Sequence, residues 1–214
     1  MGISRSLESI RFGVEIEFNL PKNIDNLEFI SNFKPISGWE IVEDPSTDNG
    51  AELRPKKSNK LYFNEKSMKQ IKRALNTLKK YNASVDGSCG GHVHVDMSKF
   101  LNKEIVKIFK SFYKSQDLLI EKFQVKDERL ECHTQRLDSS AMKLKIARIS
   151  RLKNLEDESF YGTTCLTDKA YLLNIRSLSE HGTLEFRLFN GTLSFEQWKY
   201  NIKYAIEFCL SHCK

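Results

Sequence analysis

The chain has 214 residues, of which 40% are hydrophobic and 29% charged, with a formal net charge of +6. That length suits one domain with a real core, and the composition is ordinary for a soluble globular protein. No apolar run approaches the roughly 18 residues of a membrane span, and the charge is spread over lysines on polar helix faces, so it selects no partner by itself.

In chain order, MGISRSLESIRFG lacks the apolar stretch of a secretory signal. Gly2 and Ser6 match a myristoylation signal only in part, and nothing else suggests an anchor. Residues 11–20 alternate strictly, as a half-buried strand does. Trp39 to Val42 and Ala51 to Arg54 read as short strands around the turn-rich DPSTDNG. A helix is expected from Asn64 to Tyr81, with Met68, Ile71, Leu75 and Leu78 as its apolar stripe. CGGHVHVDM reads as another alternating strand, and residues 103–123 as a helix presenting Ile105, Ile108, Phe109, Phe112, Leu119 and Phe123.

Residues 124–168 are polar and carry no recognisable motif, which suggests a helical insertion or a lid within a single domain spanning 1–214. Arg148 and Arg151 lie there on a possible basic helix. AYLLNIRSL and TLEFRLF follow as two strands joined by a turn at Ser179 to Gly182, a hairpin. Ser194 with Gln197 three residues on is a capping box, opening a last helix with Phe195, Trp198, Ile202, Ala205, Ile206 and Cys209 inward. The five cysteines, an odd number, are expected as reduced thiols in a cytoplasm. Cys209, His212 and Cys213 lack a second ligand pair and read as a fraying helix end rather than a zinc corner. The order implies an α+β fold, a curved and mainly antiparallel β-sheet with helices packed on one face.

Side chains two apart on a strand share a face at about 6.5–7 Å. Glu15 and Glu17 therefore share one face, as do Glu52 and Arg54, His92 and His94, Asn174 and Arg176, and Glu185 and Arg187. An ordinary solvated sheet face carries Thr, Lys, Ser and Gln; these positions hold acids, histidines and arginines and no lysine. Packed side by side, such carboxylates repel unless cations lie among them, so the pattern points to bound metal. Carboxylates with one or two imidazoles and no thiolate favour Mg²⁺ or Mn²⁺, and divalent ions beside arginines suit phosphate. There is no Walker A sequence and no GxGxxG, so a nucleotide would bind on another scaffold.

FGVEIEF, DPSTDNGAELRP, CGGHVHVD and YLLNIRSLSEHGTLEFRLFNGT, in that order, resemble the amidoligase family. That family is a branch of the glutamine synthetase and glutamate–cysteine ligase superfamily. The resemblance implies a glutamine synthetase-like catalytic domain that uses ATP and two Mg²⁺ (or Mn²⁺) ions to form an amide through an acyl phosphate. Glu15, His92 and Glu185 match the metal site nearer the transferred phosphate; Glu17 and Glu52, with Asp44 as a third, match the second. His94 matches a residue beside the nucleotide phosphates, and Arg187 the arginine that stabilises the transfer transition state. Arg54, Asn174 and Arg176 are further candidates, Arg176 with a catalytic role and the other two in binding. The expected partners are small-molecule or peptide carboxylates and amines, with no membrane and with nucleic acid disfavoured. A metal-dependent nuclease or phosphodiesterase, and a non-catalytic nucleotide-binding module, are the alternatives the same residues allow.

Overall fold

The structure is a computed structural model that describes residues 5–25, 28–30, 36–44, 49–151 and 171–212. The middle of the DPSTDNG turn, residues 152–168 of the expected insertion, and the side chains of Arg148 and Arg151 lie outside the described residues.

Seven strands are present among them: β1 (Arg11–Asn19), β2 (Trp39–Glu43), β3 (Gly50–Pro55), β4 (Leu61–Tyr62), β5 (Gly90–Asp96), β6 (Leu173–Asn174) and β7 (Thr183–Asn190). Six helices accompany them: α1 (Glu65–Lys80), α2 (Asn102–Phe123), α3 (Asp127–Cys132), α4 (Ser139–Arg151), α5 (Ser177–His181) and α6 (Phe195–Ser211). The strands form one antiparallel sheet in the order β2-β3-β1-β5-β7-β6, with β4 also paired to β1, and the sheet does not close. The fold is α+β, with helices packed around a mainly antiparallel sheet.

Alternation builds the core. Phe12, Val14 and Ile16 of β1 stand opposite Val95, Val93 and Leu53, and Val93 in turn opposite Phe186; all are buried, as is Phe18. The helices cover them with Ile71, Leu75 and Leu78 of α1, Phe109 and Phe112 of α2, and Trp198 and Ile202 of α6. Phe112 meets Phe186 edge-on at 5.9 Å between ring centres. Each such side chain contributes about 1.5–3 kcal/mol on burial, so the apolar face holds the sheet to its helices.

Three expectations need correction. The β6–β7 connection is not a tight turn: the chain leaves β6 after two residues and forms α5, which ends at Gly182 with a left-handed φ of 68°. Asn174 Oδ1 accepts a hydrogen bond from the Arg176 backbone N–H at 2.9 Å, which ends the strand. Ile175 and Leu178, three apart, then bury together as helical spacing requires. Arg176 has helical backbone angles, so it does not share a sheet face with Asn174. The capping box of α6 is half formed: Ser194 Oγ accepts from Gln197 N, but the Ser194 N–H goes to Thr192 Oγ1 and the Gln197 side chain to Asn201. Every residue of β5 is buried, and so are Glu17 and Glu185.

Candidate active site

Strand register assembles the site. β1 and β5 run antiparallel with Glu15 opposite His92; β3 sets Glu52 opposite Glu17; β7 sets Glu185 opposite His94. Between β5 and β7 the register slips: Gly91 pairs with Phe189, but Val93 pairs with Phe186. A bulge of this kind re-aims side chains, and here Arg187 and Leu188 stand against the single residue His92.

The result is a compact cluster. One ligand atom each from Glu15, His92 and Glu185 lie within 4.8 Å of one another. His92 Nδ1 donates to Glu15 Oε2 at 2.9 Å and stands 3.6 Å from Glu185 Oε1. Its Nε2 is 3.2 Å from Glu17 Oε1, yet it makes no hydrogen bond there, leaving a buried ring nitrogen amid carboxylates. Glu185 receives Arg187 Nη1 at 2.6 Å on one oxygen and Asn174 Nδ2 at 2.6 Å on the other. His94 Nε2 donates to Glu15 Oε1 at 2.9 Å, and its Nδ1 faces the hydroxyls of Ser177 and Thr183.

The charges are settled by protein groups. Burial works against the Glu15 carboxylate, but the His94 charge and hydrogen bonds from both histidines hold it well below the usual carboxyl range. Glu185 is likewise low, its burial outweighed chiefly by His94 and Arg187. His94 is pushed up to about 9 in spite of burial, by the charges of Glu15 and Glu185. Glu52 is pushed up to about 8 by burial and by Glu15, against the pull of Arg54.

Most of the residues singled out in the sequence therefore meet. Glu15, Glu17, His92, His94, Asn174, Glu185 and Arg187 touch one another. Glu52 faces Glu17 and is bonded by Arg54 at 3.2 Å, while Arg54 also pairs with Glu40 at 2.9 Å. Asp44 follows β2, and its charge reaches Glu52. Arg176 is the exception: it pairs with Glu180 at 2.6 Å on α5, outside the cluster.

A sequence model of the family described as "Putative amidoligase enzyme" matches residues 25–209. The chain belongs to the amidoligase family. Among curated proteins none matches it. The family's description points to an amide-forming ligase. Asp44, Glu52, His92, His94, Asn174, Glu185 and Arg187 lie inside the matched range; Glu15 and Glu17 precede it and are joined to the same site by the β1 pairings.

Sequence reasoning missed Arg129. This residue of α3 is almost fully buried and donates to the backbone carbonyls of Ser88 at 3.1 Å and Arg187 at 3.3 Å. Its Nη1 stands 3.9 Å from Glu17 Oε2, an oxygen that also accepts from the Gly90 N–H. No signal marked it, because its segment has no motif and α3 is only six residues long. A cavity of about 580 Å³ opens beside Glu15 and His94, walled by the β3–β4 connection on one side and residues 179–183 on the other.

Proposed function

We propose that this amidoligase joins a carboxylate to an amine at the expense of ATP, through an acyl phosphate, using two divalent cations on a glutamine synthetase-like scaffold. The observation that carries the reading is the convergence of Glu15, His92 and Glu185 from three strands within 4.8 Å. The donor set fits a hard cation: oxygens dominate and no thiolate joins them. Buried His92 Nε2, without a hydrogen bond, supports a second donor position toward Glu17. Glu15, His92 and Glu185 would hold one cation, and Glu17, Glu52 and Asp44 the other. Bound there, Mg²⁺ or Mn²⁺ would neutralise the phosphate oxygens and so lower the repulsion between ATP and an incoming carboxylate.

The chain's own groups supply the rest. A substrate carboxylate oxygen attacks the γ-phosphorus and the bond to ADP breaks. An amine nitrogen then attacks the acyl carbon, phosphate leaves with its electron pair, and the ammonium proton passes to solvent or base. Arg187, fixed by Glu185 beside the cluster, offers a guanidinium to the transferred phosphoryl group. His94, held by Glu15 and by the hydroxyls of Ser177 and Thr183, stands at the Glu15 side of the cluster beside the phosphates.

The test is phosphate release from Mg·ATP across a panel of carboxylates and amines, with mass spectrometry for products one water lighter than their sum. Glu15→Ala, His92→Ala and Glu185→Ala should each abolish release. Metal-dependent cleavage of DNA or RNA without ATP would replace this reading with a nuclease. ATP binding with no release on any pair, unaffected by those substitutions, would leave a binding module.

A further inference from the structure

The cavity beside Glu15 and His94 has a charge imbalance that the ligase chemistry does not use. Its acids are matched: Glu15 pairs with His94 at 2.9 Å, Glu40 with Arg54 at 2.9 Å, Asp96 with Arg11 at 2.6 Å and Glu180 with Arg176 at 2.6 Å. Lys56, Lys57 and Lys60 also line it and have no ion-pair partner among the described residues. We infer that the acid substrate carries a second anionic group, and that Lys56, Lys57 and Lys60 receive it while the reacting carboxylate lies toward Glu15 and His94. The inference rests on the proposed ligase reading for which carboxylate reacts, and adds the substrate's class: a polycarboxylate or acidic peptide.

Exposed lysines are usually solvated, and their placement argues otherwise here. All three stand on one short connection, residues 56–60, between β3 and β4, and that connection is stapled down. The Lys56 N–H donates to Gly38 O at 2.9 Å, and Asn59 N–H to Lys56 O at 2.8 Å. Asn59 Nδ2 reaches Gln70 Oε1 on α1 at 3.0 Å. Gly38 keeps a left-handed φ of 85°, and a Cβ there would stand 3.0 Å from the Asn59 side chain. The turn is thus held against the wall of the cavity, which lowers the entropic cost of collecting an anion. A volume of about 580 Å³ accepts a molecule of tripeptide size.

The experiment measures binding, not turnover, so it decides this point even if no ligase activity is found. Isothermal titration with Mn²⁺ present at low salt compares the peptides Glu-Glu-Glu and Gln-Gln-Gln on the wild type and on K56Q/K57Q/K60Q. Three partly screened pairs amount to about tenfold in affinity, so the wild type should prefer the acidic peptide by about that factor. The variant should lose the preference, while its affinity for a non-hydrolysable ATP analogue and its melting temperature stay unchanged. Equal binding of the two peptides, binding of neither, or a preference that survives in the variant would overturn the inference. A drop in nucleotide affinity alone would overturn it too, assigning the cavity to ATP.

Discussion

Glu52 shows how finely single side chains are set against one another in this sheet. It faces Glu17 across the β1–β3 pairing, and burial together with the Glu15 charge raises it from the ordinary 4.5 to about 8. A group raised on folding adds stability that is full below its unfolded value and is lost as pH rises through its folded value. With EDTA present, the protein should therefore lose thermal stability as pH climbs from 4.5 to about 8. His94, raised from 6.5 to about 9, contributes with the same sign over the upper part of that range. Glu52→Gln should remove the lower part of the slope and Mn²⁺ should flatten it, both read as melting temperature against pH. Arg129 makes a second prediction. Arg129→Met strips donors from two partly buried carbonyls and a counter-charge from Glu17, and should cost about 3–5 kcal/mol in denaturant unfolding. Arg129→Lys, keeping the charge but not the planar fork, should cost less. Nothing near Arg129 in the sequence announces its role, because burial by tertiary packing leaves no periodic trace in a six-residue helix.

At the scale of elements, the long strands were legible, while the two-residue β4 and the shortness of β6, with the connections, were not. Period-two alternation in RFGVEIEFN and GGHVHVD states which side chains share a face, and antiparallel pairing then brings Glu15 to His92 with no further instruction. SLSEHG, by contrast, contains turn formers and a glycine, and only the three-residue spacing of Ile175 and Leu178 hints at the helix that forms there. That local difference separates two arginines that the strand pattern treats alike. Arg187→Ala should reduce phosphate release by about 100-fold or more, as loss of a transition-state donor does. Arg176→Ala, which frees only Glu180, should leave release within about twofold; equal losses in the two variants would contradict the placement of α5. Gly90 tests the tightness of β5. A Cβ there would lie 2.5 Å from Arg129 Nη2 and 2.7 Å from His92 Nε2. Gly90→Ala should therefore cost about 1–3 kcal/mol of stability and weaken Mn²⁺ binding, measured by unfolding and by metal titration.

For the whole molecule, one sheet divides the labour. Its apolar face and the helices α1, α2 and α6 supply the stability, and its polar face gathers charge that would be unfavourable without compensation. The covering of that polar face, in which α3 takes part through Arg129, raises every electrostatic interaction inside it. Among the described residues no helix is long and apolar enough to cross a membrane. The central claim is that carboxylates and a histidine distant in sequence share a cation. It is tested most directly by anomalous diffraction from a crystal soaked in Mn²⁺ and a non-hydrolysable ATP analogue. The account expects a manganese peak within about 2.2 Å of oxygens from Glu15 and Glu185 and a His92 nitrogen. A peak held by other residues, or none at this cluster, would contradict it.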